Sequence, residues 1–320
     1  MSVYNLVSFA GIFVLAGFAW LCSTDRRVVN WRVVFWGIGL QLAVAFFIFV
    51  VPAGTRFFLF VNRAVGTVLE SATAGTKFIF GRLALPPGAT NEAGETSLGS
   101  FLAFQALPTI IFFAALIGAL YYLKIMPFFV RLFARVFTRL MRTSGAESLS
   151  VSANIFVGVE SALVVQPHLK DMTRSELCTI LTAGMATIAS TVLAMYVVIL
   201  QGQMPTIAGH LVSASLLGAP AALLMSKLIM PETESPVTRG LSIQPSYERE
   251  DNLIMAIING ANSGLKLLGG LVALLLAFLG LLALLDLLLG WSGGWLNRWL
   301  GWNFNWSLKT LLGYIFYPFT

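Results

Sequence analysis

Between Gly145 and Tyr196, a chain built mostly of long apolar runs turns polar. The stretch GAESLSVSANIFVGVESALVVQPHLKDMTRSELCTILTAGMATIASTVLAMY is crowded with Ser, Thr, Asn, Glu and Gly. This feature narrows the possible folds more than any other. From Leu149 to His168 it divides into two short apolar pieces at Gly158-Val159-Glu160. A helix needs about 20 consecutive apolar residues to cross the hydrocarbon, and neither piece supplies them. Two half-length helices meeting at a polar break make a re-entrant hairpin. Such irregular backbone persists at membrane depth only where it is buried in protein or lines a wet cavity. From Leu177 to Leu200 the chain is long enough to cross, but Thr187-Ile188-Ala189-Ser190-Thr191 interrupts it. Broken helices facing one another are a way to build a midplane site for a small solute and an ion.

The surrounding chain supports a membrane setting. Of its 320 residues 58% are hydrophobic and 11% charged, with a mean hydropathy of +0.84, which places it among integral membrane proteins. The net charge of +6 is accounted for by the excess of Lys and Arg on cytoplasmic loops, so nucleic acid is not an expected partner. Cys22 and Cys178 lack a partner motif, and His168 and His210 stand alone, so neither a disulfide nor a metal cluster is expected. The first apolar run has no basic leader or small-residue cleavage site and reads as a retained span.

In chain order, spans are expected at Tyr4 to Cys22, Val33 to Val51, Phe101 to Leu123, Leu177 to Leu200, Leu211 to Met230 and Leu267 to Leu289. The fold class is therefore an all-α polytopic membrane protein with about six spans, a re-entrant helical hairpin and interfacial helices. Phe57, Val61, Val65 and Val68 recur at helical spacing among Arg56, Arg63, Glu70 and Lys77, as in a helix lying along the interface. Met126 to Arg142 is amphipathic, with Arg131, Arg135 and Arg139 on one face. The expected regions are N-terminal scaffold and interfacial helices over 1–143 and a transport half over 144–230. A cytoplasmic loop over 231–252 follows, then a further scaffold span and the start of a second half over 253–320. An N-terminus outside, with the hairpin entering from inside, puts fourteen of the 20 Lys and Arg on the inner side.

Several motifs carry a family resemblance. NIFVG, Glu160, ALVVQP, MTRSEL, TAGMATIAS and VLAMY follow one another, then SASLLGAPAALLMSKLIMPETE and NGANSGLKL, with further matches from Val29-Asn30-Trp31-Arg32 to LGYIFYPF. Together they resemble the concentrative nucleoside transporter family. The resemblance implies ion-coupled import of nucleosides or nucleobase-like molecules by alternating access, with no cofactor beyond the coupling ion. It also implies a homotrimer in the lipid bilayer of the inner (plasma) membrane. In the family the hairpin loop reads Gly, Gln, Thr or Ser, Glu and contacts the nucleobase. Here it reads Gly158-Val159-Glu160, keeping the Glu and lacking the Gln amide and the hydroxyl. Val192 matches a position that packs on the base. The resemblance further implies a sodium site made by Asn154, the Val157 and Ile188 carbonyls and the Thr187 hydroxyl. Family members continue past LGYIFYPF into a second broken hairpin and two more helices that hold the ribose. The chain has no second copy of the Asn154 to Tyr196 pattern, so a fragment, or a second half on another chain, is expected.

Glu160 also stands out without the resemblance. A carboxylate at membrane depth costs about 2.5–3.5 kcal/mol on insertion scales and marks a functional site by default. The competing reading is a structural carboxylate bonded to its surroundings. Asn154 and Thr187 are open to a similar alternative as helix caps or interhelical glue, and the coupling ion is either sodium or a proton taken by Glu160. Ser213 to Ala222 reads as a small-residue packing face, and Gly260, Asn262, Ser263 and Gly264 as a helix start and packing point. Asp286 reads as a solvated charge near a span end. Glu147 is either a charge at a helix N-terminus or a gate. Two functions of different class stand: an ion-coupled transporter, or a non-transporting membrane protein using the hairpin as a structural or partner-binding element. An intramembrane enzyme is not expected, since no Ser/His/Asp arrangement lies at membrane depth.

Overall fold

The computed structural model describes residues 3–91, 94–241, 243–246, 250–301 and 304–317, without the side chains of 3–6, 8, 159, 160, 163 and 300. Within them the protein is helical, and the described residues hold no strand, only isolated bridges between Thr90 and Thr96 and between Ser144 and Arg239. The chain forms two compact units, Met1–Gly264 and Leu265–Thr320.

The first unit begins with α1 (Val3–Leu21), α2 (Trp31–Phe49) and α3 (Pro52–Phe80). After a 3₁₀ turn at Gly81–Ala84 come α4 (Leu102–Gln105), α5 (Thr109–Tyr122) and α6 (Ile125–Met141). Next are α7 (Gly145–Val157), a 3₁₀ helix over Gly158–Asp171, α8 (Arg174–Ala186), α9 (Ser190–Leu200) and α10 (Ile207–Ile229). The long α11 (Leu253–Leu300) starts in the first unit and continues through the second, which ends with α12 (Leu308–Phe316). Five stretches are long and apolar enough to cross a membrane: Trp31–Phe49, Leu102–Tyr122, Arg174–Leu200, Ile207–Ile229 and Leu253–Trp299. With the shorter apolar Phe9–Leu21, these are the six spans the hydropathy pattern calls for. The protein is a multi-pass membrane protein.

At the centre of the first unit, α10 packs against α2, α3, α7 and α8. Its small residues permit this. A Cβ on Gly37 of α2 would come within 2.9 Å of Leu224, and one on Gly218 within 2.9 Å of the Thr187 methyl. Val33, Val151, Ile155, Ala183, Ala219 and Leu223 fill the space between these helices. The small-residue face of Ser213 to Ala222 is therefore a packing surface.

The chain departs from the sequence-based expectations in several places. The third span is not one helix: α4 stops at Gln105, whose side-chain nitrogen donates to the carbonyls of Leu83, Leu85 and Gly99, and α5 starts behind Pro108. Pro108 has no N–H to continue a helical ladder, so a break is natural there. The expected helix through Phe57, Val61, Val65 and Val68 is present as α3, with Val65, Val68, Leu69 and Ala72 packed inward and Phe57 exposed. The second limb of the hairpin is a 3₁₀ helix with Pro167 inside it rather than an α-helix. Finally, Gly260 and Gly264 do not start a helix. They lie well inside α11, where the Asn252 side chain accepts from the Met255 N–H at its start and no proline interrupts the run. Their packing role stands: a Cβ on Gly260 would lie 2.6 Å from the Ala114 carbonyl of α5. In the second unit, Asp286 is not simply solvated, because it accepts a 2.7 Å hydrogen bond from the Leu308 N–H at the start of α12.

Candidate functional site

The hairpin begins with a capping box. Ser144 accepts from the Glu147 N–H, and the Glu147 carboxylate accepts from the Ser144 N–H at 2.7 Å. Two of the N–H groups left open at a helix start are thereby satisfied. From Gly145 to Ile155 every residue of α7 is buried, including Ser148, Ser150, Ser152 and Asn154. A polar helix survives such burial only if its hydroxyls are bonded. Ser148 donates to the Ser144 carbonyl at 2.7 Å and Ser152 to the Ser148 carbonyl at 2.6 Å. The loop after α10 straps across this helix start, with the Gly145 N–H donating to the Thr238 carbonyl at 2.9 Å.

Gly158 ends α7 at φ +80° and ψ −146°, a conformation open to glycine and strained for other residues. Space excludes a side chain as well, since a Cβ there would lie 2.5 Å from the Ala189 Cβ. The tip of the hairpin thus lodges against the break between α8 and α9. That break forms where Thr187 becomes extended, at φ −125° and ψ 156°, and the helix resumes at Ser190.

Polar groups meet at this contact. The Asn154 side-chain nitrogen donates to Thr187 Oγ1 at 2.5 Å and to the Ala183 carbonyl, while its oxygen accepts from Ser161 Oγ at 3.4 Å. Thr187 Oγ1 lies 3.4 Å from both the Asn154 and the Ala183 carbonyl oxygens. Ser190 Oγ donates to the Phe156 carbonyl. The structure therefore brings Asn154 and Thr187 together across two helices. Val157 and Ile188 flank the same contact, the latter with its side chain packed towards α9. Val192 is half-buried in the first turn of α9. Val159 and Glu160 lie in the first turn of the 3₁₀ helix, and their side chains are outside the described residues. The amide faces Thr187 with its nitrogen, so presenting the oxygen to a cation requires the amide to turn over.

A second polar cluster sits at the opposite end of α7. Lys227, two residues before the end of α10 and buried, places Nζ 2.8 Å from Glu147 Oε2, 3.3 Å from Glu232 and 2.9 Å from Ser175 Oγ. Thr173 and Glu176 form a second capping box at the start of α8, and Thr173 Oγ1 donates to Glu232 at 2.9 Å. Glu147 is accordingly a capping residue and an ion-pair partner at once. The two boxes were readable as Ser-x-x-Glu and Thr-x-x-Glu. The pairing with Lys227 joins residues 80 positions apart, and no local pattern announces it.

Residues 10–83 match the family described as Na+ dependent nucleoside transporter N-terminus, and residues 210–320 match its C-terminal counterpart. Residues 103–203, which contain both the hairpin and the broken helix, match the family described as Gate, nucleoside recognition. The solved structure of CNTnw in an inward-facing substrate-bound state is 33% identical, with a TM-score of 0.85 over 98% of this chain and 71% of that one. The chain belongs to the concentrative nucleoside transporter family. This is a family of transporters rather than enzymes. A CNTnw variant in an outward-facing state matches with a TM-score of 0.84 and 32% identity, over 98% of this chain and 72% of that one. Nucleoside permease NupC of Helicobacter pylori is 38% identical over 88% of this chain, and solute carrier family 28 member 3 of Mus musculus is 36% identical over 99%. The chain spans 65% of the length of the former and 42% of the latter.

Proposed function

We propose that the protein imports a nucleoside or nucleobase-like molecule coupled to sodium, by alternating access. In this reading the hairpin tip and the α8–α9 break supply half of the site, in an assembly that is a homotrimer. The observation that carries the reading is the convergence of two helix C-termini. Both α7 and α8 start beside Lys227, and they end together at Gly158 and Thr187. Each helix C-terminus carries roughly half a negative charge on carbonyls without intrahelical partners. Two such ends beside the Thr187 hydroxyl and the Asn154 amide favour a small hard cation, which takes oxygen ligands from unwound backbone. Sodium binding would turn the Asn154 amide over, exchanging its hydrogen bond to Thr187 for two oxygens on the ion. Val157 and Ile188 would add their carbonyls. Glu160, in the first turn beyond the tip, would accept hydrogen bonds from the substrate, with Val192 as an apolar wall. The absence of the Gln and hydroxyl from this loop leaves Glu160 to select among substrates.

Uptake by the full-length protein in proteoliposomes tests this. Thr187→Val keeps the shape and removes an oxygen, so the sodium concentration for half-maximal uptake should rise roughly tenfold or more. Glu160→Gln should weaken nucleoside binding about tenfold, the magnitude of one charge-assisted hydrogen bond. Proton-driven uptake without sodium would refute the ion assignment and move coupling to Glu160. Equal binding by wild type and Glu160→Gln would make Glu160 structural. Nucleoside binding without uptake in sealed vesicles would favour a recognition element that does not transport.

A further inference from the structure

Helices α1 and α2 both lean on α10, and between them they leave an open groove of about 850 Å³. Phe13, Gly17 and Trp20 form one wall at helical spacing, Trp31, Phe35 and Gly39 form the other, and Leu228 of α10 lies on the floor. Glycines on membrane helices ordinarily mark close helix contact. Gly17 and Gly39 do not serve that purpose: a Cβ on either would meet nothing within 4 Å. The groove is also not apolar throughout. At the end where α1 turns into α2 it is lined by Arg26 and Arg27. Neither arginine forms a salt bridge among the described residues. Arg26 donates to the neutral Leu21 carbonyl at 2.7 Å, and the adjacent Asp25 accepts from the backbone N–H of Arg27 rather than its guanidinium.

The dimensions narrow the occupant. From Trp31 to Leu42, the extent of the α2 wall, a helix rises about 16 Å, close to half of a hydrocarbon core of roughly 30 Å. The groove is therefore one leaflet deep. Tryptophans at its charged end and phenylalanines further in follow the order of headgroup level and acyl region. We propose that this groove binds an anionic phospholipid, with an acyl chain between α1 and α2 and the phosphate at Arg26 and Arg27. The site is distinct from the hairpin and independent of the transport reading.

The test uses the purified full-length protein in detergent with phosphatidylglycerol or phosphatidylcholine carrying a photoreactive acyl chain, and maps the cross-linked peptides. A basic residue near an anionic headgroup contributes about a fivefold preference. Labelling of the α1 and α2 peptides by phosphatidylglycerol should thus exceed that by phosphatidylcholine by about an order of magnitude or more. Arg26→Gln with Arg27→Gln should bring the two lipids level. Gly39→Leu and, separately, Gly17→Leu fill the groove from opposite walls without a clash, and each should remove the label while leaving the thermal midpoint near that of wild type. Equal labelling of wild type by both lipids would overturn the proposal. So would full labelling of both filled-groove variants, or cross-links from these peptides to a second copy of the chain in place of lipid.

Discussion

Replacing Lys227 with methionine isolates the buried ion cluster. Methionine fills most of the same volume with a flexible apolar chain, so the change removes a charge and leaves little cavity. Lys227 is only 5% exposed and sits 2.8 Å from a Glu147 carboxylate exposed by 2%. Without the ammonium, Glu147 keeps the Ser144 N–H as a donor and loses its counter-charge. Glu232 is better placed, at 17% exposure and still bonded to Thr173, so the cost falls mainly on Glu147. Breaking a buried pair from one side costs about 3–5 kcal/mol. The partial solvation of Glu232 points to the lower end, about 3 kcal/mol. Equilibrium unfolding of the purified protein in mixed detergent micelles measures it. Adding Glu147→Gln should recover much of the loss, since the orphaned charge is gone and the amide oxygen can still cap α7. A loss below about 1 kcal/mol for Lys227→Met, or a double variant no more stable than the single one, would refute the assignment of Glu147 and Lys227 as a desolvated pair.

Gly260→Val should destabilise the protein by about 1–3 kcal/mol, because its Cβ would meet the Ala114 carbonyl at 2.6 Å and backbone cannot move aside cheaply; Gly269→Val, with nothing within 4 Å, should cost much less in the same thermal-unfolding assay. In a background without Cys22 and Cys178, Ser246→Cys and Thr90→Cys should label from opposite sides of sealed vesicles, as the positive-inside bias requires, and labelling of both from outside would reverse the orientation.

The parts of this fold that sequence discloses are those set by local, one-dimensional constraints. Hydropathy over about 20 residues marks a span whatever its neighbours, and the six spans were readable for that reason. Gly158 and the Thr187 to Thr191 run were readable as breaks because a helix needs continuity that they interrupt. Partners were a different matter. Lys227 resembles any basic residue near the end of a span until α7 and α8 are seen to begin beside it. Gln105, inside the expected Phe101 to Leu123 span, collects three carbonyls because a loop folds back over it. The continuity of α11 and the 3₁₀ winding after Gly158 were missed for the opposite reason. Sequence marks where a helix can stop, and it says less about which form the backbone takes when tertiary packing decides.

The polar groups of the hairpin divide by where their hydrogen bonds go. Ser148 and Ser152 donate to carbonyls of their own helix, four residues back. Thr179 does likewise in α8 towards Ser175. Such bonds make burial tolerable without joining helices, although the Thr179 hydroxyl also meets Ser226 of α10 at 3.0 Å. The Thr143, Ser144, Thr173 and Ser175 groups cluster with Lys227 and the capping glutamates, where they anchor three helices at one end. At the far end of α7, Asn154 and Ser190 send their bonds across to another element. An amide that bridges two helix ends can be exchanged for an ion without unravelling either helix, since neither ladder depends on it. Ser148 and Ser152 lack that freedom, because a ligand that took their hydroxyls would leave only buried helix around it. In the proposed reading the chemistry would therefore concentrate at the tip, where the backbone is broken, while the base of the same helices is held by charge.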